Sequence, residues 1–105
     1  EDALRKAVAQ NGGRDPEAHL ALGAVLASEK DYQNAETEFR TAIEQRNGNF
    51  ADAHFSLGYL YERTNRPADA IKEYEAYLEQ SPSAYNRREI EQRLKTLKRQ
   101  VPSKR

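Results

Sequence analysis

The sequence predicts an all-α fold built from antiparallel helix pairs stacked side by side. Three observations carry this. The chain repeats itself at a spacing of 35 residues: Ala18-His19-Leu20-Ala21-Leu22-Gly23 returns as Ala53-His54-Phe55-Ser56-Leu57-Gly58, Ala35 as Ala70, Phe39 as Tyr74 and Leu26 as Tyr61. A period of this length marks stacked supersecondary units rather than one globular core. Apolar residues recur at spacings of three and four and rarely two, which is the helical period. Gly, Pro and Asn stand at joints short enough to force consecutive helices together.

The elements follow in order. Residues 1–10 carry Leu4, Ala7 and Val8 at places 35 residues before Phe39, Ala42 and Ile43. They read as the back half of a unit whose first helix lies upstream, with 1–15 as that half and its joint. Asp15-Pro16 is a helix start: Asp15 can cap free N–H groups, and Pro16 suits a first position that needs no N–H. The helix is expected over about 16–29. Lys30-Asp31 is a short joint, with Asp31 as the expected cap of a helix over about 32–46 that holds Tyr32, Ala35, Phe39, Ala42 and Ile43 inward. Asn47-Gly48-Asn49 is a turn, because Asn and Gly tolerate the left-handed conformation that ends a helix. Asn49 and Asp52 are expected to form a relative of the capping box. The next helix covers about 51–64 with Ala53, Leu57, Leu60 and Tyr61 packed. Thr64-Asn65-Arg66 closes it. Pro67 opens a helix over about 67–80, with Ala70, Ile71, Tyr74, Tyr77 and Leu78 inward, and Ser81-Pro82-Ser83 stops it. A last helix begins between Ala84 and Arg88 and runs to about Arg99, with Ile90, Leu94 and Leu97 on one face. The units are therefore 16–49 and 50–83, followed by a capping helix over 84–100 and a tail over 101–105.

Composition narrows the function classes. The 105 residues include 37% hydrophobic and 32% charged, which points to an ordered globular chain. No apolar run approaches the length of a transmembrane helix. With no cysteine, neither a disulfide framework nor a thiolate metal site is available. Compartment stays open, since cytoplasm and periplasm both suit such a chain. The net charge of zero is unevenly placed. Arg87, Arg88, Arg93, Lys95, Lys98, Arg99, Lys104 and Arg105 face only Glu89 and Glu91, so an acidic body carries a basic end. Glu1 opens the chain and Met is absent, which suggests a processed or excised piece, expected to be the C-terminal end of a longer scaffold.

With these residues in view, the pattern resembles the tetratricopeptide repeat family. The first copy reads His19, Leu22-Gly23, Leu26, Ala35, Phe39, Ala42; the second reads His54, Leu57-Gly58, Tyr61, Ala70, Tyr74, Tyr77, Pro82. The resemblance covers about 16–82 as two copies and reaches weakly over 1–15. It implies a right-handed superhelical solenoid. The departures are a spacing one residue longer than the family's usual 34, His at both places usually held by Trp, Asn47-Gly48 where Pro is common, and Tyr77 in place of a small Ala, which needs room opposite the last helix. Gly23 and Gly58 sit in mid-helix at about 1 kcal/mol against Ala, so a close backbone approach is expected there. Ala35 and Ala70 are expected to supply the opposing small surface, with Phe39 and Tyr74 filling the space one turn on. The last helix reads as a cap, with Arg93 where a further Leu-Gly pair would fall.

Stacked helix pairs exist mainly to present a surface, so the expected function is a protein–protein interaction scaffold. By the resemblance, the first helix of each pair lines an inner groove. On that side stand Glu17, Leu20, Ala24, Ala27 and Ser28 from the first unit, and Asp52, Phe55, Tyr59, Glu62 and Arg63 from the second. Leu20 with Phe55, and Ala24 with Tyr59, are each 35 apart and are expected side by side, giving an apolar strip rimmed by charge for a peptide or a helix of a partner protein. The competing reading makes Leu20 and Phe55 ordinary packing and Tyr59 a wet surface group. Some family members grip a partner's C-terminal carboxylate with Lys, Asn and Arg on this face; here those places hold mainly Leu20, Ala24, Phe55 and Tyr59, which argues against that role. His19 and His54, with no Cys and no third His, read as packing rather than as metal ligands. No nucleophile–base constellation is spaced for catalysis, and Gly12-Gly13 lacks the Lys-Ser/Thr of a phosphate loop. The chain is thus not expected to be an enzyme or to need a cofactor. The basic end lacks the aromatic residues that stack on bases, which argues against nucleic acid, and its charge reads as a solvated cap or a contact with the acidic body rather than a membrane surface. The alternative function is self-assembly, a homo-oligomer formed through the open front end at Leu4, Ala7 and Val8.

Overall fold

The computed structural model describes residues 2–9 and 13–101, with the side chains of 2, 3, 4 and 7 left out. Among the described residues there are six helices and no strand: α1 (Asp2–Ala9), α2 (Pro16–Ser28), α3 (Tyr32–Gln45), α4 (Ala51–Arg63), α5 (Pro67–Gln80) and α6 (Arg87–Gln100). The all-helical expectation holds, and the start and stop signals fall within a residue or two of the observed ends. The helices are antiparallel pairs, α2 with α3 and α4 with α5. α3 and α2 also meet α4, α1 lies on α2, and α6 lies on α5. The result is an elongated body of 46 × 28 × 26 Å.

The local chemistry accounts for most helix ends. Asp15 caps α2, its Oδ1 accepting from the Ala18 amide at 3.2 Å, and Pro16 follows at the first position. Lys30, Asn47 and Asn65 turn the chain at φ of 66°, 55° and 60°, and Gly48 at 85°. Two expected side-chain caps do not form, although Asp31 does hold the N-cap position of α3. Asp31 makes no cap bond to α3; its carboxylate instead accepts from the Asn34 amide at 2.8 Å. Phe50, not Asn49, precedes α4, and no side chain caps it, so the Asn49–Asp52 box is absent. Phe50 is there because it packs with Ala42 and Ala53. Burial of a ring decides the entry angle, at the expense of a cap.

The core runs continuously from Leu22, Leu26 and Phe39 through Leu57, Tyr61 and Tyr74 to Ile90, Leu94 and Leu97. The mid-helix glycines serve it differently from expectation. A Cβ on Gly23 would stand 2.6 Å from Phe39 Cε1, and one on Gly58 2.8 Å from Tyr74 Cε1. Each glycine therefore admits an aromatic ring rather than an opposing backbone. Phe39 and Tyr74 face the glycines directly. Tyr77 finds its room as expected, buried with its hydroxyl donating to Asn86 Oδ1 at 2.7 Å.

α6 departs from the 35-residue register. Its buried Ile90, Leu94 and Leu97 lie 37 residues after the buried Ala53, Leu57 and Leu60. Leu94 thus stands where Leu57 stands, and Arg93 falls on the flank rather than at a Leu-Gly place. From there Arg93 reaches Glu62 of α4 at 2.6 Å and Glu89 at 3.2 Å. Lys98 reaches Glu75 of α5 at 3.1 Å. The basic end is in part neutralised by the acidic body. At the front, Val8 packs against the core. The side chains of Leu4 and Ala7 lie outside the described residues, as do Gly12, Pro102, Ser103, Lys104 and Arg105.

Candidate functional site

Between α2 and α4 the surface opens into an apolar cleft of about 360 Å³. Its shape follows from a size mismatch between the two units. The α2 side carries small residues, Ala24, Ala27 and Ser28, while the α4 side carries Phe55 and Tyr59. Residues 35 apart therefore differ in bulk, and α2 leaves a hollow that α4 walls. Phe39 and Leu60 close the floor. Lys30 and Tyr32, from the turn and the start of α3, stand with Arg63 at the mouth.

Ten residues were expected on this inner face, and six of them meet here: Ala24, Ala27, Ser28, Phe55, Tyr59 and Arg63. Ala24 and Tyr59 share the cleft, as their spacing implies. Leu20 does not line it; partly buried, it packs against the clusters around Phe50 and Leu57. Phe55 has both roles. One side of its ring lies against Tyr77 and Tyr74, at centroid distances of 5.2 and 6.1 Å, and it still lines the cleft. Glu17 lies elsewhere, bonded at 2.7 Å to Arg46, whose guanidinium sits 4.3 Å over the Phe50 ring. Asp52 is exposed outside the cleft. Glu62 faces α6, accepting from Arg93 and from the Tyr74 hydroxyl.

Tyr59 is 44% exposed, a large aromatic surface left open by the fold. Arg63 donates to its hydroxyl at 3.3 Å and lies 5.7 Å from its ring centroid; Arg93 lies 5.9 Å from the same centroid. The neighbouring phenols of Tyr32, the leading cause, and Tyr59 raise the guanidinium pKa of Arg63 further. Lys30 and Tyr32 are cleft residues that sequence reasoning had assigned to a joint and to inward packing. The usable signal was their position directly after Ala24, Ala27 and Ser28, the small residues on one face of α2. Tyr85, 98% exposed ahead of α6, was also missed as a surface aromatic.

The histidines occupy a different place, at the joints. His19 Nδ1 stands 2.6 Å from Glu38 Oε1 and Nε2 2.7 Å from the Gly13 carbonyl. His54 repeats this with Glu73 at 2.7 Å and the Gly48 carbonyl at 2.9 Å. Gln45 and Gln80 donate to the same two carbonyls. Both ring nitrogens face acceptors, so the doubly protonated imidazolium satisfies both. For His19, burial opposes the charge, but the Glu38 and Gly13 bonds outweigh it and raise the pKa. For His54 the Glu73 bond is the largest cause of the rise. The rings are buried, as packing elements would be, but each also pairs with a carboxylate. Their carboxylate partners were legible only as Glu38 and Glu73 standing 35 apart. Among the described residues no group of three His, Cys, Asp or Glu is placed to hold a metal, and no helix is long and apolar enough to cross a membrane.

The family model for the tetratricopeptide repeat matches the chain over residues 1–50 and 31–85. A search of curated proteins returns no match.

Proposed function

The chain belongs to the tetratricopeptide repeat family, and from that premise we propose that it is an interaction module which receives a peptide or partner segment in the cleft between α2 and α4. The family is a non-catalytic scaffold family whose helical repeats are generally associated with protein–protein contacts, and this chain has its architecture. The units of that scaffold are taken as 16–49 and 50–83, with 84–100 as the cap.

One observation carries the reading: Tyr59, 44% exposed, stands beside an apolar cleft of about 360 Å³. That volume falls in the range of about 300–1,000 Å³ typical of ligand sites. An aromatic ring held half out of the core contributes most to binding when a partner desolvates it. Tyr59 and Phe55 are the anchors, and Ala24 and Ser28 keep the seat open.

The test is affinity capture with the chain and two variants. Ala24→Arg/Tyr59→Ala fills the seat and removes the anchor at exposed positions, so the helices persist and circular dichroism stays unchanged. That bait is expected to lose partners that the parent chain retains. Reversing Arg87, Arg88, Lys95 and Lys98 is expected to leave them bound. The opposite pattern makes the basic end the working surface. Self-assembly through the front end is checked by sedimentation: a mass that rises with concentration and falls back in Val8→Asp favours it, and a monomer at every concentration removes it for this chain.

A further inference from the structure

We infer that the occupant of this cleft is an acidic protein segment, one large apolar side chain flanked by side-chain carboxylates. The inference rests on the cleft being the binding site. The charged side chains that line the cleft are Lys30 and Arg63, both cations. Among the described residues neither has a carboxylate partner; Arg63 bonds to the phenol of Tyr59. Arg40, Arg46, Arg66, Arg87 and Arg93 each hold a Glu or Asp within about 3 Å, and the cations of α6 that do not, Arg88, Lys95 and Arg99, lie outside the cleft lining. The acids nearest in sequence are already engaged. Glu62 binds Arg93 and Tyr74, Asp31 binds Asn34, and Glu29 has an interaction of its own. Lys30 and Arg63 are distinguished by their place: they line an apolar hollow that carries no acid of its own, so negative charge is what that lining lacks.

The remaining chemistry separates a protein segment from a small anion. The floor of Ala27, Phe39, Phe55 and Leu60 offers no donor to an inorganic anion and calls for an apolar side chain. Lys30 comes from the α2–α3 turn and Arg63 from the last turn of α4, so two carboxylates, one on either side of that apolar residue, match them better than the single charge of a chain terminus. Residues 1–85 carry an excess of acids, which repels such a segment elsewhere on the body. That fixes its register more than its affinity.

The experiment uses the 15N-labelled chain and two capped hexapeptides, acetyl-Asp-Glu-Phe-Leu-Asp-Glu-amide and its neutral counterpart with Asn and Gln. Capping removes terminal charge, so side-chain carboxylates alone are tested. The acidic peptide is expected to shift the amides of Ala24, Ser28, Lys30 and Tyr59 and to bind about tenfold more tightly than the neutral one. Lys30→Gln/Arg63→Gln, which changes only exposed groups, is expected to abolish that preference. Arg63→Lys retains most of it, and raised salt weakens it. Equal affinity of the two peptides in the cleft, indifferent to the double variant, overturns the acidic inference and leaves the cleft reading standing. Shifts confined to α6, or none in the cleft at millimolar peptide, also overturn the inference; the capture comparison then decides the cleft reading independently.

Discussion

At Gly58 the space a methyl group would take is filled by the edge of the Tyr74 ring, 2.8 Å from where a Cβ would stand. That ring cannot step aside: it is fully buried, and its hydroxyl is bonded to Glu62. Two effects compete in Gly58→Ala. Helix propensity favours Ala by about 1 kcal/mol, while forcing a methylene into a closed core costs about 1–3 kcal/mol. With the ring tethered, overpacking wins, and a net loss of about 1 kcal/mol is expected in urea unfolding. Gly58→Leu should lose far more; an unchanged midpoint for Leu would contradict the contact. The joint histidines make a second residue-scale prediction. Glu38, Asp15 and the Gly13 carbonyl face His19, and Glu73 and the Gly48 carbonyl face His54. Both folded pKa values lie above the ordinary 6.5. The protonated folded form is therefore favoured, so the stabilisation is complete below about 6.5 and is lost as pH rises through the folded values. The melting temperature should fall between pH 6 and pH 9, and His19→Gln/His54→Gln should flatten that slope. Histidine titrations by NMR with midpoints below 6.5 would refute the assignment.

At the scale of the element, the helix starts differ in what secures them. Asp15 bonds the Ala18 amide, so Asp15→Ala should cost about 1 kcal/mol. Asp31 bonds a side chain on the surface instead, so Asp31→Ala should stay within about 0.5 kcal/mol. Equal losses in chemical denaturation would show that Asp31 caps α3 after all. The same contrast explains what could be read in the sequence. Helix identity was legible because period, Pro16, Pro67 and the left-handed Asn47 and Asn65 act locally. Asp31 and Asn49 misled because Asp and Asn signal turns whether or not they cap. α6 misled because its joint is longer, and a period counted from two copies cannot report a shift to 37 in the third. In the cleft, the face of Ala24, Phe55 and Tyr59 was legible from helix position. Glu62 and Glu17 were not separable from it, because a charged side chain reaches for a partner on another element, and Arg93 and Arg46 are remote in sequence. Lys30 and Tyr32 come from a turn, which has no period to place them.

Across the whole molecule, stability is organised by neighbours. Among the described residues α4 meets α2, α3 and α5, whereas α1 meets only α2 and α6 only α5 through the backbone. In such a stack each unit's stability is its own plus that of its interfaces, and the ends open first. Amide exchange should therefore be slowest in α3, α4 and α5, around the buried Phe39, Tyr61 and Tyr74, and fastest in α1. The fastening of α6 adds a sharper test. Arg93 ties it across to Glu62 of α4, a partly exposed charged bond worth about 1 kcal/mol. Arg93→Ala should speed exchange in α6 roughly fivefold while leaving α2 unchanged. It also leaves Glu62 bonded to the Tyr74 hydroxyl but without its cation, and that uncompensated negative charge is expected to weaken an acidic ligand in the cleft. If exchange instead rises equally in all helices, the chain opens as one cooperative unit and the nearest-neighbour account fails. If only α6 responds and acidic-peptide affinity still drops, the cap helix is coupled to the cleft through Glu62 and Tyr59, and the end of the stack helps set the charge of its binding face.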